Sequence, residues 1–330
     1  MSERVIVDCD PGITRVAADI DDALALALLL RSPEVELAGV TVTAGNVDVD
    51  AAAEGALAVL EAAGRPDIPV HRGAARPGNH DYHRWNETFR KRRSHPDAAR
   101  IWADWQQPRA AGGTAAGGAA EFLAAQVAAR PGEVTVVAIG PATNLAHAIE
   151  LLPEFGSLAR RIVVMGGGWL LPDHLQELNF GWDAAAADTL LGAGADLTVI
   201  PLDVTLRTCL TLAEARGIAD AATDPLGRLV ADALLRWTEF SVSARGRAGC
   251  VLHDPLAAAL VLDPTLVTTT ARVAATDLHS RLSPGRLVTW DPDTVYAPAA
   301  SLPARRPAAL ATDVDNDRLV RLLIDRLPGK

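Results

Sequence analysis

The sequence predicts an α/β fold: a mostly parallel central sheet flanked by helices, in one large domain carrying lid insertions. Three observations carry this. Apolar, β-branched runs alternate with segments of helical periodicity along most of the chain, the pattern of βαβ units. The strand-like runs are apolar throughout, as expected where helices cover both faces of a sheet. The 330 residues contain no linker, repeat or low-complexity tract that would divide them, so 1–330 reads as a single domain.

In chain order, Arg4 to Cys9 reads as a buried strand and Ile20 to Arg31 as a helix. Val35 to Thr43 (strand) and Val49 to Ala63 (helix) repeat the unit. Glu121 to Arg130 (helix), Val134 to Ile139 (strand), Asn144 to Leu152 (helix) and Arg161 to Met165 (strand) continue it. Ala184 to Gly192 is a helix, Leu197 to Leu202 a strand, and Leu226 to Val242 a longer helix. The tail from Ala271 has β-like pieces and a final helix from Asn316 to Leu327. Gly78 to Gly118 breaks the rhythm. It is rich in Arg, His, Trp, Gly and Pro, with one weak helix near Asp97 to Trp105, and reads as a lid or insertion at the mouth of a site.

Composition narrows the partners. Asp and Glu number 41 against 31 Lys and Arg, a formal charge of −10, which disfavours a nucleic-acid polymer as ligand. Cys9, Cys209 and Cys250 are too few and too scattered for a disulfide framework or a zinc cage, and suit a reducing compartment. The N-terminus lacks a secretory pattern, and apolar runs such as Ala23 to Leu30 are too short to span a bilayer. A cytoplasmic protein acting on a small molecule is the expectation.

Ligands of open α/β sheets bind at the carboxyl ends of strands. Here those ends read Asp8-Cys9-Asp10-Pro11-Gly12, Thr43-Ala44-Gly45-Asn46, Gly140-Pro141-Ala142-Thr143-Asn144 and Met165-Gly166-Gly167-Gly168, with His253-Asp254-Pro255 opening a later helix. Gathering Asp8, Asp10, Asp21, Asp22 and Asp254 without a cation is costly, because like charges raise one another's pKa. A hard cation with oxygen ligands removes the conflict. Taken singly, Asp21-Asp22 also reads as an acidic helix start, and Asp8-x-Asp10 as a strand-end turn.

The ordered set of blocks resembles the nucleoside hydrolases (inosine-uridine preferring nucleoside N-ribohydrolases). It runs from Asp8-Cys9-Asp10-Pro11-Gly12 and Asp21-Asp22-Ala23-Leu24-Ala25-Leu26 through Thr43-Ala44-Gly45-Asn46-Val47 and Ile68-Pro69-Val70-His71-Arg72-Gly73. It continues with Ala138 to Leu145, Ile162 to Gly167, Glu177-Leu178-Asn179-Phe180, Pro201 to Thr205 and His253-Asp254-Pro255-Leu256. The resemblance implies Ca²⁺ held by Asp10, Asp22, Asp254 and the carbonyl of Thr143. It implies that Asp10 also takes a proton from water, and that Asp21, Asn46, Glu177 and Asn179 bind the ribose hydroxyls. His253 would lie near the leaving base, with protonation of that base as its possible task. Met165 would line the cleft. Glu177 and Asn179, two apart, share a face if their segment is extended. A nucleoside substrate, a role in nucleoside metabolism and salvage, and a homodimer or homotetramer are implied as well.

Three departures bear on the site. Eight residues, Ile13 to Ile20, lie between Gly12 and Asp21 where the family pattern has one, and Asp19 offers an alternative ligand. Leu171 stands where family members often present an Asn toward the sugar 5′ side. The usual loop elements are missing from 78–118, which instead holds His80 to Asn86 and the basic run Arg90-Lys91-Arg92-Arg93. That run reads either as a solvated helix face or as a receptor for an anionic 5′ substituent. Trp85, Trp102, Trp105, Trp169 and Trp182 are stacking surfaces for a base or core residues. The rival readings are a nucleoside or sugar binder disabled by the insertion, and a phosphohydrolase with an aspartate nucleophile in Asp8-x-Asp10.

Overall fold

A computed structural model describes residues 2–77, 83–171, 176–294 and 304–329. Its core is a nine-stranded sheet made of β1 (Glu3–Cys9), β2 (Val35–Val42), β3 (Val70–Arg72), β4 (Val134–Ala138), β5 (Arg161–Met165), β6 (Leu197–Ile200), β9 (Val267–Thr276), β10 (Leu287–Trp290) and β11 (Ala308–Val314). β7 (Leu210–Thr211) and β8 (Gly249–Cys250) pair as a separate short ribbon. The order across the large sheet is β10-β9-β11-β6-β5-β4-β1-β2-β3. β1 to β6 and β11 are parallel, and β9 and β10 add an antiparallel edge. The central strands are buried on both sides, which explains their unbroken apolar runs.

Each face of the sheet carries its own core. One packs the helices Asp21–Leu30, Val49–Ala62, Pro225–Ser243 and His253–Leu262, with Leu24, Leu28, Trp237 and Leu256 inside. The other packs Ala119–Ala129, Thr143–Leu151 and Ala184–Leu191 around Leu123, Leu145, Phe155 and Leu190. The helix Asp21–Leu30 is buried over nearly its whole circumference. Each fully buried Leu contributes about 1.5–3 kcal/mol. This helix therefore has little freedom to shift, and its first two residues, Asp21 and Asp22, are fixed with it.

The Ile13 to Ile20 insertion is a compact loop. Ile13, Ala17, Ala18 and Ile20 are buried, Thr14 Oγ1 donates to the Ala51 carbonyl (3.2 Å), and Arg15 pairs with Glu54 (3.2 Å). The loop returns onto Gly12, where an added Cβ would stand 2.2 Å from the Asp19 carbonyl. Ala17 adopts φ 53°, the one positive φ outside glycine among the described residues. The extra residues are thus absorbed before Asp21, and the helix starts in the expected register.

Residues 83–101 correct the reading of that segment as largely irregular. They form the helices His83–Arg93 and Pro96–Ile101. The first is polar nearly all round, so it lacks the apolar stripe that marks a helix. Its hold is Phe89, which is buried, and Arg92, whose guanidinium lies 5.7 Å from the Phe89 ring centre and 5.9 Å from that of Trp237. The second seats Ala98, Ile101 and the following Trp102 in the core, with Trp102 edge-on to Phe240. Residues 78–82 lie outside the described residues.

Candidate active site

The ends of β1, β2, β4 and β5 converge with the start of the helix His253–Leu262 on one cleft, about 770 Å³ when its opening to solvent is included. Asp8 lies beneath it, fully buried. Its Oδ1 accepts from Thr41 Oγ1 (2.5 Å) and Asn144 Nδ2 (2.7 Å), while Oδ2 has no partner. Asn144 also donates to the Val42 carbonyl (3.1 Å) and accepts from Ala74 N (2.8 Å), so one amide ties the ends of β1, β2 and β3 together. Sequence reading left Asn144 outside the site.

Asp10 is fully buried too. Its Oδ2 accepts from the Asn46 backbone N–H (2.5 Å) and its Oδ1 has no partner. Its own N–H donates to Asp22 Oδ1 (2.9 Å), and Asn46 Nδ2 donates to Asp22 Oδ2 (3.4 Å). Gly45 permits this approach, since an added Cβ would lie 1.9 Å from Asp10 Oδ2. Asp254 N donates to Asp21 Oδ2 (3.1 Å). One carboxylate oxygen each of Asp21, Asp22 and Asp254 falls within 4.8 Å of the others. Burial pushes the Asp8 and Asp10 carboxyls up to about 7. Burial, and then the neighbouring acids, push Asp21, Asp22 and Asp254 well above the usual range. Thr143 is buried at the first turn of its helix, where its hydroxyl donates to Asp183 Oδ2 (2.9 Å).

Glu177 and Asn179 do not lie on an extended segment. Glu177 caps the short helix Leu178–Trp182, and Asn179 is inside it. The Glu177 carboxylate accepts three backbone N–H bonds, from Gly167 (2.7 Å), Asn179 (2.6 Å) and Phe180 (2.9 Å), yet burial still raises its pKa. Asn179 Nδ2 donates to the carbonyls of Ile139 (2.8 Å) and Met165 (3.1 Å). Both residues and Met165 line the cleft. His253 lines it as well and shares a hydrogen bond between Nδ1 and Thr205 Oγ1 (2.7 Å). Burial, followed by the fields of Arg245, Arg247 and Arg92 acting against that of Asp19, pushes His253 down to about 4. A neutral ring keeps one N–H to donate and one nitrogen to accept.

Further lining comes from outside the strand-end motifs. Asp19 of the insertion, Trp85 and Phe89 line the cleft, as do three arginines: Arg92, Arg245 and Arg247. Of the basic run, Arg92 alone faces this cleft, and Arg90, Lys91 and Arg93 are exposed. Trp102 and Trp182 are core residues, and Trp105 and Trp169 are half-buried outside this cleft. Leu171 is half-buried in the strip after β5, whose Trp169 and Leu170 amides donate to Asp203. The one sequence signal for Arg245 and Arg247 is their position, shortly before His253-Asp254.

A sequence profile of the inosine-uridine preferring nucleoside hydrolases matches residues 5–321. The chain belongs to that family. Nucleoside hydrolases similar to it include the probable uridine nucleosidase 2 of Arabidopsis thaliana, 31% identical over 98% of this chain and 97% of that protein. The pyrimidine-specific ribonucleoside hydrolase RihA of Salmonella typhi is 30% identical over 99% of each. Among solved structures, a plant nucleoside hydrolase superposes with a TM-score of 0.85 at 26% identity over the full length of both. The purine-preferring ribonucleoside hydrolase from Gardnerella vaginalis does so at 0.81 and 30% identity, over 99% of this chain and 98% of that one. This nucleoside hydrolase is therefore a glycosidase that splits a ribonucleoside into ribose and base. Nothing in these relatives favours the phosphohydrolase alternative. Among the described residues no helix is long and apolar enough to cross a membrane.

Proposed function

We propose that Asp10 is the general base of N-glycoside hydrolysis and that the acidic floor of the cleft binds Ca²⁺. The observation that carries this is Asp10 Oδ1, a fully buried carboxylate oxygen without a partner, set beside Asp22 and near Asp21 and Asp254. The donor set fits a hard divalent cation: it is all oxygen and strongly anionic, and the nearby Cys9 sulfur is turned to the Thr41 carbonyl (3.7 Å). Asp10, Asp22, Asp254 and the Thr143 carbonyl would hold the ion, and Asp21 lies close enough to share it. A bound ion supplies charge neutralisation and a more acidic water.

Asp10 takes a proton from the attacking water, whose oxygen bonds to C1′ of the ribose. The C1′–N bond breaks and its electron pair goes to the base. Positive charge builds on the sugar as the bond lengthens, and the carboxylates of Asp21 and Glu177 stabilise it. Asn46 and Asn179 orient the ribose hydroxyls together with these acids, and Met165 packs against the sugar. His253, neutral and tied to Thr205, contacts the departing base as a hydrogen-bond partner.

Uridine is the first substrate to test, because the sequence relatives cited above are a probable uridine nucleosidase and a pyrimidine-specific hydrolase. Inosine tests the purine arm suggested by the Gardnerella structure. Ribose release from either in the presence of Ca²⁺, lost on chelation and recovered on Ca²⁺ addition, is the expected result. Binding of both nucleosides with no ribose release would overturn the proposal in favour of a disabled binder. A homodimer or homotetramer belongs to the same proposal, and a 34.6 kDa particle in sedimentation would contradict it.

A further inference from the structure

Besides the acidic floor, the cleft has a second charged surface. Arg92, from the helix His83–Arg93, and Arg245 and Arg247, from the loop before β8, line the same cavity as His253 and Glu177. None of the three forms an ion pair with a carboxylate among the described residues, whereas most arginines elsewhere do. Two of them, Arg92 and Arg245, are held by aromatic faces instead. The Arg245 guanidinium lies 5.1 Å from the centre of the Trp237 ring, and Arg92 is shared between Trp237 (5.9 Å) and Phe89 (5.7 Å). A guanidinium held on a π face keeps its N–H edge for a ligand. Gly246, at φ 62°, turns the chain between Arg245 and Arg247.

Three half-buried guanidiniums beside one another repel. Burial, and then Arg245, pull Arg92 down to about 10, and the fields of Asp19 and Asp21 offset only part of this. Such a cluster is stable when an anion sits against it, and planar donors of this kind match carboxylate or phosphate oxygens in pairs. The neutral bases of uridine and inosine offer carbonyl acceptors but no charge to offset it.

We infer that Arg92, Arg245 and Arg247 form an anion-recognising wall, and that the preferred substrate is a nucleoside carrying a carboxylate on its base. This rests on the hydrolase reading above. The base end is assigned because Arg245 and Arg247 lead directly into β8 and His253, the residue set at the leaving base. A 5′-phosphate offers the same chemistry from the sugar end, and the test separates the two.

The test measures kcat/KM for uridine, uridine 6-carboxylate and uridine 5′-monophosphate in the Ca²⁺-loaded full-length enzyme and in Arg245→Gln, Arg247→Gln and Arg247→Lys. The 6-carboxylate is expected to exceed uridine by about tenfold or more, a ratio of the size one charge-assisted contact gives. Each Gln variant should lower that ratio at least about tenfold, and Arg247→Lys should restore part of it. The preference should weaken as salt is raised from low ionic strength. A phosphate preference lost in the same variants would keep the wall and overturn its assignment to the base. A ratio near one in the wild type, or one unchanged in the variants, would overturn the wall itself. Arginines that merely offset the acidic floor would shift Ca²⁺ affinity without moving the ratio, which overturns it as well. If no nucleoside is cleaved, calorimetric affinity for the same three compounds reads the wall independently: the hydrolase reading fails, and the wall stands or falls on its own ratio.

Discussion

The floor and the wall of the cleft carry opposite charge and are held by opposite means. The acids of the floor stand at strand ends and helix starts, and backbone N–H groups hold them: Asn46 N on Asp10, Asp10 N on Asp22, Asp254 N on Asp21. Of the wall arginines, Arg92 and Arg245 are held by Trp237 and Phe89, without a carboxylate. Backbone donors fix a carboxylate where a cation is to be received. Aromatic faces fix a guanidinium without consuming its donors. If the two surfaces have separate tasks, changes to the floor should act on rate and metal, and changes to the wall on the choice of substrate.

The largest effect should come from the floor. Asp10→Asn keeps an acceptor for the Asn46 N–H but removes the base, and kcat should fall about 10²–10⁴-fold. Its ratio of kcat/KM for anionic over neutral nucleosides, measured on the residual activity, should stay where it was. A ratio that collapses with kcat would show that floor and wall act as one unit.

Metal removal is the next largest. In the metal-free protein, burial raises Asp8 and Asp10 from an ordinary 3.8 to about 7. An acid whose pKa is higher in the folded state favours the protonated form. Its contribution to stability is full below about 4 and is lost as pH rises through 7. The chelated protein should therefore melt about 3–6 °C lower at pH 8 than at pH 5. Ca²⁺ at a hundredfold excess over its dissociation constant should return about 2.7 kcal/mol, mostly at the higher pH. Calorimetric melts with and without chelator read both. A metal-free protein more stable at pH 8 would mean that these carboxylates are solvated, not buried.

Asn144→Ala probes the layer beneath the floor. It removes the donor to Asp8 Oδ1 and the acceptor for Ala74 N, both internal to the protein. Leaving such groups unsatisfied costs about 1–3 kcal/mol, read by urea denaturation. Since Asn144 joins β1, β2 and β3, Ca²⁺ affinity should weaken with stability while the anion preference persists.

The two surfaces also differ in how far sequence reveals them. Asp10, Asn46, Thr143 and Met165 stand at or just beyond the ends of parallel strands, where the topology of such sheets places ligands. Apolar runs bounded by Gly, Pro and Asn announce those ends. Asp21 and Asp22 stayed legible despite the insertion, because the Ala-Leu repeat after them fixes the helix. Arg92 was seen only as one member of a basic run, since a polar helix shows no apolar period. Its meeting with Arg245 depends on Trp237 rising between the two segments, a tertiary fact with no local sequence mark. Glu177 and Asn179 are legible as residues but their element is not, because a five-residue helix is too short to show a period.

The smallest predicted effect isolates the wall from everything else. Gly246 sits at φ 62° with open space where a Cβ would go, so Gly246→Ala meets no clash and carries only the conformational cost of a left-handed residue, about 1 kcal/mol. That cost can be met in two ways. Either the loop holds its shape and loses stability alone, or it relaxes toward negative φ and re-aims Arg245 and Arg247. Relaxation is the expected outcome, because the loop is exposed at Gly246 and the Arg247 N–H to the Ser241 carbonyl (2.9 Å) is the one backbone bond tying its tip. The anionic-over-neutral ratio should then fall a few-fold in Gly246→Ala. Gly246→Asn should keep it, since Asn adopts the left-handed region readily. Equal loss in both variants would mean that the side chain at 246, and not the turn, disturbs the wall.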